Sequence, residues 1–270
     1  MSFMGMPFEE LAESIPDLFD TLNRTTSQLG AFHPQTLDVV NRLAIAFWEI
    51  GDIPQAIGLL EQAIEANACP GPEAHSECVV RVKPEAHSEC VVRAKPEAHS
   101  ECVVRAKPEA HSECVVRAED DPVRSLLLCT LADIMVEQAR WDRAAVLYRE
   151  VLEACLRRFG SNHASSLAAK GDLALVLFEL GQADEASELE REASESARKH
   201  LGKTHPVTCV LAWNRAARLE NNGDGSAART ILVDDLVWLL TEEDANLETD
   251  HHTIKAMLAK RWEWQSAPVC

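Results

Sequence analysis

Histidine and cysteine recur at a fixed spacing in residues 72–119. A 12-residue unit is repeated there in copies that begin at Pro72, Pro84, Pro96 and Pro108, with departures only at Val82 and Glu119. In each copy the histidine precedes the cysteine by three residues, which puts both side chains on one face of a helix. Two copies together would offer the two cysteines and two histidines that zinc prefers. The residues of this candidate zinc set are His75, Cys78, His87, Cys90, His99, Cys102, His111 and Cys114.

Zinc binding is the alternative and not the leading hypothesis for this sequence. Tandem duplication multiplies whatever residues a unit contains, so the repetition of His and Cys is not by itself a sign of metal binding. The usual zinc signatures also pair cysteine with cysteine and histidine with histidine. Elsewhere the chain has no glycine-rich phosphate loop, no Gly-x-Ser-x-Gly nucleophile motif and no His-Glu-x-x-His metal motif. We therefore expect neither an enzyme nor a bound cofactor.

Composition narrows the class of protein further. The chain has 26 Lys and Arg against 44 Asp and Glu, a formal net charge of -18, which argues against a nucleic-acid partner because phosphate binding needs clustered positive charge. Alanine and leucine dominate the apolar residues, which favours helices over sheets. No signal peptide or apolar run long enough to span a membrane is visible, and the nine cysteines do not suggest a disulfide framework. We expect a cytoplasmic all-α protein with no membrane partner.

A longer repeat lies on both sides of the short one. When frames are set at Pro34, Pro122, Ala164 and Pro206 and each is counted as position 0, alanine stands at positions 10 and 22 in all four frames, with glycine or alanine at position 17. Apolar residues at positions 9, 10 and 13 form one stripe of a helix, and the small residue at position 17 marks a turn. A second helix then presents its position 22 alanine inward. Each frame therefore predicts a helical hairpin.

Three short strings mark where one hairpin ends and the next begins. They share the form apolar-Gly-x-x-His and end at His33, His163 and His205. The glycine predicts the end of a helix, and the histidine is expected to form a hydrogen bond at the start of the next helix. The fourth frame departs from the others at Arg215 and Asp235, where apolar residues are expected, so we expect that hairpin to pack less well.

With these features the sequence resembles the tetratricopeptide repeat family, in the 42-residue variety of kinesin light chains. The small-apolar-Gly-Ala-Leu series carries the resemblance, together with the His-Pro-x-Thr starts at 33–36 and 205–208. It implies a right-handed α-solenoid of helical hairpins, interrupted by the inserted 12-residue tandem repeat. The expected segments are a capping helix in 1–32, a first hairpin in 33–71, the insert in 72–119 as short helices or partly disordered chain, three further hairpins in 120–248, and a capping helix and tail in 249–270.

The resemblance also implies a function in protein binding. In such solenoids the first helix of each hairpin lines a concave groove, with positions 4, 7, 11, 14 and 15 facing it. Here those positions are rich in acids and aromatic rings, which suit a partner protein or peptide with basic and apolar residues. A third hypothesis treats the insert as a neutral spacer. The predicted partner-binding residues are Asn41, Trp48, Glu49, Asp133, Glu137, Phe178, Glu179, Trp213 and Glu220.

Overall fold

The computed structural model describes residues 15–68 and 122–266, with side chains as far as Arg261, and this part of the chain contains helices and no strand. The all-α class is confirmed. The helices are α1 (Ile15–Leu29), α2 (Pro34–Glu49), α3 (Ile53–Ala68), α4 (Pro122–Glu137), α5 (Trp141–Phe159), α6 (Ala164–Glu179), α7 (Ala183–His200), α8 (Pro206–Asn221), α9 (Gly225–Ile231) and α10 (Thr249–Ser266).

The helices form two compact units, and the boundary between the units falls within α5. The first unit holds α1 to α4 and the start of α5, and the second holds the end of α5 and α6 to α10. In the first unit α2 pairs with α3, and α4 packs against both of them. In the second unit α6 pairs with α7 and α8 with α9, while α8 also packs against α6, α7 and α10. Consecutive helical hairpins are thus the building block of each unit.

The alanines at positions 10 and 22 of each frame lie where the two helices of a hairpin meet. None of them is more than 2 % exposed. Because alanine ends at Cβ, the helix axes can approach closely, and larger neighbours such as Leu43, Leu60 and Leu177 fill the space on either side. Burying each such leucine contributes about 2 kcal/mol. The eight alanines are Ala44, Ala56, Ala132, Ala144, Ala174, Ala186, Ala216 and Ala228.

Every turn between the helices of a hairpin has a residue with positive φ at position 17. Gly51, Gly181 and Gly223 have φ of 84°, 73° and 85°, and Ala139 has φ of 52°. The left-handed region is strained for alanine by about 1–2 kcal/mol, because its Cβ approaches the following carbonyl oxygen. The turn therefore has a similar backbone conformation in all four frames. In the second hairpin this conformation strains Ala139, which stands where the other hairpins have glycine.

The histidines of the apolar-Gly-x-x-His strings cap helices, as predicted. His33, His163 and His205 immediately precede α2, α6 and α8, and each Nδ1 accepts a hydrogen bond of 3.2 Å from the backbone N–H two residues later. This bond satisfies one of the N–H groups that a helix start leaves without a partner. These three imidazoles have a structural role.

The fourth hairpin is irregular in its backbone yet well packed, so the expectation of poor packing is wrong. α9 is followed by a π-helical turn at Leu232–Leu236 and a 3₁₀ turn at Val237–Leu240. Side chains from both turns are buried in one core cluster, to which α8 and α10 also contribute. The buried residues that the two turns and α10 contribute are Leu232, Leu236, Leu239, Ile254 and Leu258.

The two polar departures of the fourth frame face charged residues of α7. The Arg215 Nε lies 3.8 Å from a Glu190 carboxylate oxygen, and Asp235 accepts a 2.7 Å hydrogen bond from Arg198. Ion pairs therefore take the place of apolar contacts that leucine, alanine and valine make at these positions in the other frames. Charge pairing between α7 and its neighbours explains how these positions tolerate Arg and Asp.

Polar contacts also join α3 to the hairpin that follows the inserted repeat. Arg124 donates to the Ile64 carbonyl oxygen at 2.8 Å and to Glu150 at 2.5 Å. Arg143 forms an ion pair with Glu61. α4 therefore occupies the place of the next hairpin although Ala68 and Pro122 are far apart in the sequence. The insert itself lies outside the described residues.

Candidate functional site

In the first unit, the predicted site residues lie on α2 and α4, which pack side by side. The Trp48 indole Nε1 donates a hydrogen bond to the Glu137 carboxylate. This bond connects position 14 on the first helix of one hairpin with position 15 on the first helix of the following hairpin. Glu137 is exposed, but part of its acceptor capacity is already used by the chain itself.

Asp133 and Asn41 are less available to a partner than the sequence suggests. The Tyr148 hydroxyl on α5 donates a hydrogen bond to Asp133, which holds this carboxylate against the neighbouring helix. Asn41 is only 4 % exposed, and its Oδ1 accepts no hydrogen bond from the described residues. Glu49 differs from both, because it lies on the surface at the end of α2 and partial burial raises its carboxyl pKa.

In the second unit, the ring of Phe178 on α6 is covered by a cation from the same chain. The guanidinium carbon of Arg218 on α8 lies 4.4 Å from the ring centroid. The sequence predicted that a cation of the partner would stack on this ring. On one face of the ring, that contact is instead made by Arg218 of the chain itself. Glu179, the next residue, is exposed, and its carboxylate has no hydrogen bond or ion pair with any described residue.

Arg218 also pairs with Glu190, a residue that the sequence interpretation missed. Its Nε donates to Glu190 Oε1 at 2.9 Å, and its Nη2 donates to Oε2. Glu190 is 6 % exposed, so this bidentate contact satisfies a buried carboxylate. A signal was available in the sequence, since position 26 is apolar in the other frames, at Leu60, Tyr148 and Leu232. An acid at a core position predicts a buried basic partner.

The remaining predicted residues are held by the C-terminal part of the second unit. Glu220 forms an ion pair with Arg261 of α10. Trp213 is partly buried and packs against the core cluster that contains Ala212 and Leu258. Among the acids predicted for the groove, Glu49 and Glu179 are the exposed ones with no hydrogen bond or ion pair to another described residue.

The described ranges, 15–68 and 122–266, contain neither a metal-binding cluster nor a membrane-spanning helix. Within them, no group of three or more His, Cys, Asp or Glu side chains has an arrangement that could hold a metal ion. No helix in these ranges combines the length and apolar character needed to cross a bilayer. All eight residues of the candidate zinc set lie outside the described residues, so zinc binding stays a prediction.

Comparison with known proteins identifies the repeat type. Residues 123–199, which run from α4 to α7, match the family model described as tetratricopeptide repeat. A comparison with curated protein sequences finds no match.

Solved structures with the same fold include a kinesin-light-chain-like protein of Podospora anserina with nearly identical TPR-like repeats. A crystal structure of a single-residue variant of that protein has a TM-score of 0.54 at 20% identity, with 84% of this chain and 85% of that chain covered. A second crystal structure of the same protein has a TM-score of 0.51 at 19% identity, with 90% of this chain and 86% of that chain covered. The crystal structure of BtubC (BKLC) from P. vanneervenii has a TM-score of 0.56 at 14% identity, with 87% of this chain and 78% of that chain covered.

Tetratricopeptide repeats generally mediate protein–protein interaction, and scaffolds of this fold are typically not enzymes. At these identities the likeness to the solved structures establishes the fold alone. Together with the matched repeats of 123–199, it confirms the resemblance drawn from the sequence: residues 123–199 carry tetratricopeptide repeats, and the chain has the fold of kinesin-light-chain-like repeat proteins.

Proposed function

We propose that this chain is a scaffold or adaptor that binds extended segments of partner proteins on the first helices of the hairpins in each unit. The observation that carries the proposal is the pairing of an exposed acid with an aromatic ring at the same place in two hairpins. Glu49 follows Trp48 at the end of α2, and Glu179 follows Phe178 at the end of α6. Both acids lack a partner among the described residues.

This pairing suits a partner segment with basic and apolar residues. A lysine or arginine can place its cationic head at the carboxylate while its methylene stem covers the neighbouring ring. The net charge of -18 adds a long-range attraction that speeds association with a basic segment and weakens as salt is added. The proposal therefore includes a salt-dependent association rate.

The proposal is tested with charge-neutral variants of the two acids. Trp213→Ala is a poor test because Trp213 packs against the core, so lost binding and lost folding would be confounded. Glu49→Gln with Glu179→Gln keeps side-chain size and removes only surface charge. Proteins captured from the native host by the tagged full chain are compared between the wild type and this double variant by quantitative mass spectrometry.

A matched control removes two exposed acids from second helices. Glu65 on α3 and Asp184 on α7 are exposed and lack partners in the described part of the chain, so Glu65→Gln with Asp184→Asn makes the same change of charge elsewhere. We expect specific partners to be lost with the first double variant and kept with the control. If both variants keep the same partners, the first-helix site is wrong.

A further inference from the structure

A small pocket in the second unit lies between α6, α8 and the start of α10. The space between its walls is about 360 Å³, a figure that includes open solvent. Its walls are mostly apolar, and three polar side chains, Asp172, Asn214 and Asp250, border it. The apolar lining residues are Ala168, Gly171, Val207, Val210 and Leu211.

Gly171 on α6 lacks a Cβ, and this lets the Leu211 side chain of α8 pack directly against α6. A Cβ built on this glycine would lie 2.4 Å from Cδ2 of Leu211, closer than two carbon atoms can approach. Gly171, Ala168 and Val210 also occupy positions 7 and 4, which the sequence assigns to the partner-binding surface. The pocket is therefore part of the first-helix surface of the second unit.

Asp250 is the unusual polar group of this pocket. It stands in the first turn of α10, and partial burial raises its carboxyl pKa, with His251 opposing and Glu248 reinforcing the rise. Within the described residues, its carboxylate accepts no hydrogen bond and pairs with no lysine or arginine. Partial removal of a carboxylate from water without a partner is costly, and such a group in a cleft is a candidate for ligand binding.

We propose that this pocket binds a lysine or arginine side chain of the partner segment. The cationic head pairs with Asp250 and reaches the Asn214 amide oxygen, and the aliphatic stem lies on Val207, Val210 and Leu211. A metal ion fits less well, because calcium needs six to eight oxygen ligands and most of this lining is apolar. The inference rests on the proposed function for the source of the side chain, while the pocket itself can be tested without a partner.

The test uses two small cations that reproduce the ends of these side chains. The full chain, with ¹³C-labelled valine and leucine methyl groups, is titrated with n-butylguanidinium, with n-butylammonium and with n-butylurea, the neutral isostere of the first. We expect the methyl signals of Val207, Val210 and Leu211 to shift and saturate with at least one cation. We expect n-butylurea to bind at least about tenfold more weakly, since it lacks the charge.

The variant Asp250→Asn should raise the dissociation constant of the cation at least about tenfold, and Asp184→Asn should leave it unchanged. Whichever cation binds more tightly identifies the preferred side chain. The inference is overturned if neither cation shifts these methyl signals, if n-butylurea binds as tightly, or if Asp250→Asn binds as well as the wild type. Should Asp250→Asn not fold, the comparison with n-butylurea on the wild type still decides. If the inference fails while partner capture depends on Glu49 and Glu179, the proposed function stands.

Discussion

The Trp48 indole donates a hydrogen bond to the Glu137 carboxylate although 89 residues separate them in the chain. Most of that separation is the inserted repeat and its flanks, and yet α2 and α4 pack as neighbouring first helices. The bond fixes the register between position 14 of the first hairpin and position 15 of the second. The proposed partner-binding surface of the first unit is therefore continuous across the insertion point.

This hydrogen bond should make a measurable but small contribution to stability. Trp48→Phe removes the donor, and Glu137→Gln removes the charge of the acceptor. Because Glu137 is exposed, we expect a coupling free energy of about 0.5–1 kcal/mol from a double-mutant cycle in urea. Glu49→Gln combined with Trp48→Phe serves as the control and should show no coupling. A coupling near zero in the first cycle would mean that the negative charge of Glu137 does not strengthen this hydrogen bond.

The buried contact between Arg218 and Glu190 should contribute more. Arg218→Ala leaves a buried carboxylate without its main partner, and we expect the free energy of unfolding to fall by about 3 kcal/mol. Arg218→Ile with Glu190→Leu should recover most of this loss, because isoleucine and leucine stand at the same positions in other hairpins, at Ile134 and Leu60. Urea unfolding followed by circular dichroism measures both variants.

The control for this prediction is an ion pair on the surface of the same helix. Arg191 contacts Glu188 and Glu195 on the exposed side of α7, where water screens the charges. Arg191→Ala should leave the unfolding midpoint unchanged within error. If it destabilises the chain as much as Arg218→Ala, burial is not what makes the Glu190 contact strong.

The sequence predicted the hairpins because their causes are local and periodic. Alanine pairs, glycine turns and capping histidines each act within a few residues, and repetition in four frames reinforces the pattern. The partners of Asp133, Phe178 and Glu220 were missed because Tyr148, Arg218 and Arg261 reach them from other helices. The pocket at Gly171 was missed for the same reason, since Asp250 comes from α10. Side-chain pairing between helices depends on packing that a one-dimensional pattern does not contain.

The turn of the second hairpin offers a pair of substitutions with opposite effects. Ala139→Gly relieves a strained left-handed alanine and should raise the free energy of unfolding by about 0.5–1 kcal/mol. Gly181→Ala introduces the same strain in the third hairpin and should lower it by a similar amount. A Cβ at Gly181 would meet no atom within 4 Å, so the loss would be purely conformational. Thermal or urea unfolding of both variants checks the signs, and two changes of the same sign would contradict this explanation.

Asp250 should make stability depend on pH in a direction that reveals its burial. Its folded pKa is raised, so the folded chain holds this proton more tightly than the unfolded chain does. The contribution of Asp250 to the free energy of unfolding is therefore largest below the ordinary aspartate pKa. This contribution is lost as the pH rises through the raised pKa of the folded state. Relative to Asp250→Asn, the wild type should lose stability as pH rises from about 3 to neutrality. Urea unfolding of both proteins at several pH values measures this difference, and a constant difference would show that the carboxylate is not desolvated.

Deletion of residues 72–119 should keep the first unit folded. It leaves 69–71 and 120–121 between α3 and α4, a five-residue connection like 201–205 between α7 and α8. The contacts that hold α4 in place, such as Arg124 with the Ile64 carbonyl, come from outside the deleted segment. Shortening the connection also lowers the entropy cost of closing it, so we expect the free energy of unfolding to stay the same or rise by up to about 2 kcal/mol.

A second variant, in which a Gly/Ser linker of the same length replaces 72–119, separates loop length from the chemistry of the repeats. It should unfold at the same urea concentration as the wild type if the repeats act as a spacer. A lower midpoint than the wild type would mean that the repeated His-x-x-Cys units stabilise the fold. A zinc-dependent difference between these two proteins would favour the metal-binding hypothesis, because stabilisation by a ligand grows with its concentration relative to its dissociation constant.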